Sequence, residues 1–200
     1  MIDYVVDREY FHVTRSLHYN NHAPLAIGAV IDVGTKHNPF FGFYEGVRAY
    51  PVTTPTGQVQ CPAIKFLKSV RDGMINCPNI ALIAVEVADH YVVLARELIL
   101  EQVRIEIAPH APSRQKCLWL ADTLDEAKFW KERLGAVGSI ARLQVSGIVH
   151  RADAFHLLGD SEPLTTTYDR AHRYWRGEPS SIPELETLFC GTAKIVEISD

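Results

Sequence analysis

The stretch 115–134, QKCLWLADTLDEAKFWKERL, decides the reading of the fold. Its opening, QKCLWLA (115–121), is short and apolar and reads as a buried strand. Asp122 or Thr123 then stands where a helix N-cap belongs. LDEAKFWKERL (124–134) reads as the helix, and Gly135 stops it. A strand followed at once by a capped helix, in a chain with no repeating βαβ rhythm, points to an α+β fold.

The flanking segments extend this pattern. REYFHVTR (8–15) is aromatic and β-branched and reads as a first strand. Residues 16–58 carry Gly34, Asn38-Pro39, Gly42, Pro51, Pro55 and Gly57 and read as a long irregular segment. A helix is expected over 62–72 behind its proline, and another over 90–106, ended by Pro109 and Pro112. The stretch 79–88 fits helix or strand equally, because a short apolar run has no decisive period. Residues 139–149 read as a strand and 164–176 as a helix. Two closing strands, 185–189 and 192–198, are expected to join around Gly191.

Composition bounds the function. The chain has 200 residues, 47% of them hydrophobic and 22% charged, so it suits a single domain over 1–200. It excludes a disordered chain, a collagen-like chain and a coiled-coil rod. The net charge of −4 gives no broad basic field for nucleic acid. The N-terminus has no signal-peptide pattern, and charges interrupt the apolar run 79–100, so no membrane span is expected. The four cysteines are scattered without a CxxC pair, which suits free thiols in a cytoplasmic protein, or one delivered into a target-cell cytosol. Nine histidines hint at a metal. His18 and His22 have i,i+4 spacing but no neighbouring carboxylate, so plain surface histidines are expected. No nucleotide-binding glycine loop, GxSxG or HExxH is present.

Three segments in order resemble the three signature strands of the ADP-ribosyltransferase superfamily. The first is Phe11-His12-Val13-Thr14-Arg15, similar to the His-Gly-Thr motif of the histidine class, with Val13 where glycine is usual. Alternation puts Tyr10, His12 and Thr14 on one face, expected to line a cleft, and Phe11 and Val13 on the other, expected in the core. The second is Cys117-Leu118-Trp119-Leu120-Ala121-Asp122, with Trp130 on the following helix. The third is Glu184-Leu185-Glu186 opening a late strand, similar to an E-x-E motif. That motif usually travels with an arginine on the first strand rather than a histidine, so an arginine acceptor does not follow. The segments Asn38-Pro39-Phe40-Phe41, Arg96-Glu97-Leu98, Leu100-Glu101-Gln102-Val103-Arg104 and Pro112 to Trp119 also resemble a bacterial family of unknown function grouped in that superfamily.

The resemblance implies an ADP-ribosyltransferase-like mixed β core with peripheral helices. It also implies an NAD-dependent mono-ADP-ribosyltransferase that moves ADP-ribose to a macromolecular acceptor and releases nicotinamide. NAD would be a co-substrate, and a protein acceptor is expected over nucleic acid. The implied roles are these: Glu186 stabilises the ribosyl cation, Glu184 orients the nucleophile, and His12 and Thr14 hold riboses. The Val13 backbone meets the amide, Trp119 and Trp130 bracket nicotinamide, and Arg15 and Arg114 meet the pyrophosphate. The aromatic run Phe40, Phe41, Phe43 and Tyr44 covers the cofactor, contacts the acceptor or plugs the fold. Two other readings stay open: a domain that binds NAD or ADP-ribose without catalysis, and an RNA-directed relative such as a 2′-phosphotransferase.

Overall fold

The computed structural model describes residues 2–14, 25–135, 138–159 and 161–199. The chain runs β1 (Ile2–Val13), β2 (Val30–Val33), α1 (Pro39–Glu45), β3 (Ala49–Thr54), β4 (Gly57–Pro62), α2 (Ala63–Arg71), α3 (Ile80–Ile107) and β5 (Leu118–Leu120). It continues through α4 (Leu124–Arg133), β6 (Ile140–Asp153), a 3-10 turn (Ala154–Leu157), α5 (Leu164–Arg176) and β7 (Leu185–Ser199). The fold is α+β.

The main sheet has the order β1-β6-β7-β2, with every neighbouring pair antiparallel. The second edge of β7 is shared. Its first part pairs with β5, Trp119 opposite Leu188, and its later part with β2, Ile31 opposite Ala193. The end of β5 is tied back to β1: Phe11 N donates to Ala121 O at 2.9 Å and Ala121 N to Phe11 O at 2.8 Å. So β5 lies between β1 and β7. On the long β6–β7 pair, Gly147 faces Gly191. Both have positive φ, and a Cβ would stand 2.2 Å from Cys190 O at Gly147 and 2.3 Å from Ser146 O at Gly191. Only glycine permits that close passage.

Two large cores flank the sheet, and a small third one gathers Ala121, Ala127 and Ile140 under α4. One packs Leu100, Val103, Tyr174, Trp175 and Leu188 between the sheet and helices α3 and α5. The other packs Tyr10, Leu120, Leu143, Phe189 and Ile195 among the strands. Tyr10, expected on a cleft-lining face, is 2% exposed and belongs to this second core.

Several boundaries differ from the sequence expectations, for local reasons. β1 begins at Ile2 rather than at residue 8. A register shift between Val5 and Arg8, with Asp7 at φ 50°, breaks the alternation that would have marked it. The segment 16–58 is not irregular throughout, since it holds β2, α1, β3 and the start of β4. Asn38-Pro39 starts a helix there: the Asn38 side chain accepts from Phe41 N at 2.9 Å, and proline suits the first turn. Pro55 and Thr56 form a hairpin tip ahead of Gly57 at φ 121°. The ambiguous 79–88 is helical and merges with 90–106 into α3. The two expected closing strands are one strand, β7, that passes through Gly191. The expected strand 115–121 shortens to β5, because Lys116 N and Cys117 N both turn back onto Ser113 O.

α4 starts as expected, with the Thr123 hydroxyl accepting from Glu126 N at 3.2 Å. The Glu126 carboxylate returns to accept from Asp122 N at 3.0 Å. α5 ends at Gly177 in the left-handed region, with Gly177 N and Glu178 N donating to Tyr174 O and Arg173 O. All four cysteines are free thiols.

Candidate active site

Glu186 is the second residue of β7. Alternation puts it beside Leu188, on the face that meets α3 and α5. Three elements converge on it. Arg114 comes from the turn before β5, Glu97 from the inward side of α3, and Tyr174 from α5. Arg114 donates through Nε to Glu97 Oε2 at 3.0 Å and through Nη1 to Tyr174 Oη at 2.7 Å. Its Nη1 also donates to Glu186 Oε1. The Tyr174 hydroxyl donates to the same Oε1 at 2.5 Å.

This cluster is buried: Glu97 is 1% exposed, Arg114 4% and Glu186 8%. Two carboxylates share one guanidinium, so the trio carries one net negative charge. Arg96, at the rim, lies 3.4 Å from Glu97 Oε1. Burial alone would lower the Arg114 pKa, but Glu186 and Glu97 outweigh it and hold the guanidinium well above its usual value. Burial pushes the Tyr174 hydroxyl and the Cys117 thiol well up, so both stay protonated. Both donors on Glu186 meet Oε1, and Oε2 takes no donor among the described residues.

The other sequence-named residues fall around this carboxylate in different ways. Trp119 is half-buried, with the Arg114 guanidinium 5.6 Å from its ring centre and Phe40 edge-on at 5.5 Å. Asn38 fixes this arrangement by donating to Arg114 O at 2.7 Å and to Cys117 O at 3.1 Å. The aromatic run therefore forms α1, with Phe41 as a buried plug and Phe40 against Trp119. Trp130 donates from Nε1 to Leu185 O at 2.8 Å, one residue before Glu186. The two tryptophans make no ring contact with each other among the described residues. Arg114 is committed to carboxylates in the interior rather than open to solvent.

His12 places Nδ1 2.9 Å from Trp119 O. Burial lowers its pKa, the carbonyl contact opposing, so it is neutral with the proton on Nδ1. Its Nε2 has no partner among the described residues. The pairing of Phe11 with Ala121 and of Trp119 with Leu188 puts His12 on the face opposite Glu186. The two residues thus occupy nearby strands but not a common face. The Thr14 hydroxyl donates to Ser139 O and accepts from Ser139 N, each at 2.9 Å. Val13 packs under α4 beside Ala121. Glu184 precedes β7, with its carboxylate 3.4 Å from Arg133 and its backbone N–H on Asp153. Arg15, His18 and His22 lie outside the described residues.

Sequence reasoning missed Tyr174 as a partner of Glu186, and it also missed a second polar group on the other face. There Arg151 meets Asp122 at 2.6 Å and Glu126 at 2.5 Å. Thr187 donates to Asp122 at 2.5 Å. Thr187 is the neighbour of Glu186, so β7 carries one polar cluster on each face at this point. A cavity of about 630 Å³ lies elsewhere, lined by Tyr50, Phe66, Met74, Cys77 and Ile83.

Among the described residues no helix is long and apolar enough to cross a membrane. Comparison with curated proteins gives no match. A family model described as "Protein of unknown function (DUF2441)" matches residues 10–200, and the chain belongs to that family.

Proposed function

We propose that the protein is an NAD-dependent ADP-ribosyltransferase that moves ADP-ribose to a protein acceptor in a cytosol and releases nicotinamide. The observation that carries this reading is the state of Glu186. Its carboxylate is fixed through Oε1 and has Oε2 left for a ligand. Loss of neutral nicotinamide leaves an oxocarbenium-like ribose, and a carboxylate held in place before the reaction stabilises that charge without reorganising. Glu97 shares the Arg114 charge with Glu186 and Arg96 at the rim balances the set, so the stabilisation comes from the fixed Glu186 carboxylate lying close by rather than from net charge. In this reading Oε2 accepts from the 2′-hydroxyl of the nicotinamide ribose, and Trp119 and Trp130 flank the approach. Glu184, outside the strand, meets the incoming nucleophile, and His12, on the opposite face, takes no part in holding the nicotinamide ribose.

A second reading, an NAD or ADP-ribose binder without turnover, is favoured by the cation already seated on Oε1. The test is incubation with NAD labelled in its adenylate and a cell lysate. The transferase moves label onto an acceptor, and the Glu186→Gln variant does not. A thermal shift with NAD but no labelled acceptor and no free nicotinamide selects the binder.

A further inference from the structure

α3 is about 42 Å long, at 1.5 Å rise per residue. Its buried residues are Val87, His90, Glu97, Ile99, Leu100 and Val103. Another face leaves apolar side chains in water: Tyr91 is 44% exposed, Leu98 50% and Ile105 60%, with Ala81, Ala84 and Ala88 exposed along the same line. Scattered exposed apolar residues are ordinary, but a continuous row along one helix marks a contact surface. The row has a period. From Ala81 to Ile105 its members are separated by alternating steps of three and four residues, the repeat of a helix–helix seam.

We propose that this face of α3 is the seam of a two-fold dimer, with α3 of one protomer antiparallel to α3 of its partner. Side-chain size selects both the partner and the direction. In the antiparallel register Ala81 meets the partner's Ile105, Ala84 the partner's Gln102, Ala88 the partner's Leu98, and Tyr91 the partner's Ala95. The two-fold axis repeats the same layers on the other half. Every layer sets an alanine against a longer side chain, so the gap between the helices stays even. A parallel pairing would set alanine on alanine at one end and leucine, glutamine and isoleucine each on itself at the other.

Charge agrees with size. The N-terminus of α3 has no acidic residue in its first turn, and Asn79 makes no side-chain cap. The antiparallel register brings the partner's exposed Glu106 level with Ile80, which puts a carboxylate at that positive helix end. A strip about 36 Å by 10 Å on each copy buries on the order of 1,000 Å² of accessible surface in total, near the lower bound for a specific interface. The dimer is therefore concentration-dependent.

Sedimentation of the full chain over about 1–100 μM tests this, with circular dichroism as a check on folding. The wild type rises from one chain mass towards two. Ala88→Leu sets leucine against leucine and stays at one chain mass. The swap variant, Ala88→Leu with Leu98→Ala, restores an alanine in both layers and recovers the dimer. Residues 88 and 98 are about 15 Å apart along one helix, so rescue arises only between copies. A wild type that stays at one chain mass overturns the proposal. So does an Ala88→Leu variant that still dimerises, or a swap variant that stays monomeric.

Discussion

The Tyr174 hydroxyl stands 2.5 Å from Glu186 Oε1, on the same oxygen that Arg114 holds. A helix after β6 and a turn before β5 thus aim one carboxylate on the last strand. Their joint grip leaves Oε2 without a donor among the described residues.

Replacing Tyr174 by Phe removes that hydroxyl and keeps the ring in its core. The expected loss is about 1–2 kcal/mol of stability, one buried hydrogen-bond partner, read by urea unfolding. In the transferase reading kcat falls about tenfold with KM little changed, because Glu186 loses aim rather than the protein losing NAD. A variant with wild-type kcat removes Tyr174 from the positioning role.

Arg114 is the buried cation between two carboxylates, so Arg114→Met should leave Glu186 without a cation and Glu97 with only Arg96 at the rim. The expected cost is about 3–5 kcal/mol, the range for breaking a buried ion pair from one side. Denaturant unfolding measures it, and a change under 1 kcal/mol shows that the pairs contribute little to folding.

His150 gives the fold a dependence on acid. It is 1% exposed, with its ring 5.2 Å from that of Trp175. Burial, helped by the positive charge of the chain's amino terminus and opposed by the Tyr174 backbone, lowers its pKa from 6.5 to about 4. The unfolded chain takes up this proton first, so the native state loses stability as pH falls from 6.5 towards 4. At 1.36 kcal/mol per unit the loss is about 3 kcal/mol, and it is absent above that window. His150→Phe should flatten the fall between pH 7 and 4.5 by about 2–3 kcal/mol in chemical unfolding at each pH. An unchanged slope assigns the acid sensitivity to other groups.

Gly147 and Gly191 face each other where β6 and β7 pass closely. Gly147→Ala drives a Cβ to 2.2 Å from Cys190 O at φ 153°, so backbone must move. The expected cost is about 3 kcal/mol or more, above the usual range for a point substitution. Thermal unfolding reads it, whereas the same change at Gly42, which has open space for a Cβ, should cost little.

The local signals in the chain were legible where they were complete. α4 carries its N-cap in Thr123, both helices are stopped by a glycine, and both lie where spacing puts them. β1 was cut short because Asp7 interrupts its alternation. The β3–β4 hairpin was hidden by Pro51 and Pro55, which read as loop, although a proline fits a two-stranded edge pairing. At the site, Glu186, Arg114 and the tryptophans were named from motifs, but their pairing was not. The Arg114–Glu186 contact joins residues 72 apart, and Glu97 looks like any charged residue of an amphipathic helix until its burial is seen. A glutamate on the inward stripe of α3, beside Ile99 and Leu100, was the available signal for a buried partner.

The most direct test is nicotinamide release from NAD by the wild type and Glu186→Gln, side by side, with thermal unfolding of both. The substitution keeps the shape of the side chain and removes its charge. The account predicts release by the wild type and a loss of about 10²–10³-fold in the variant, with the variant still folded because Glu97 keeps Arg114 paired. Equal release by both proteins, or none by the wild type, contradicts it.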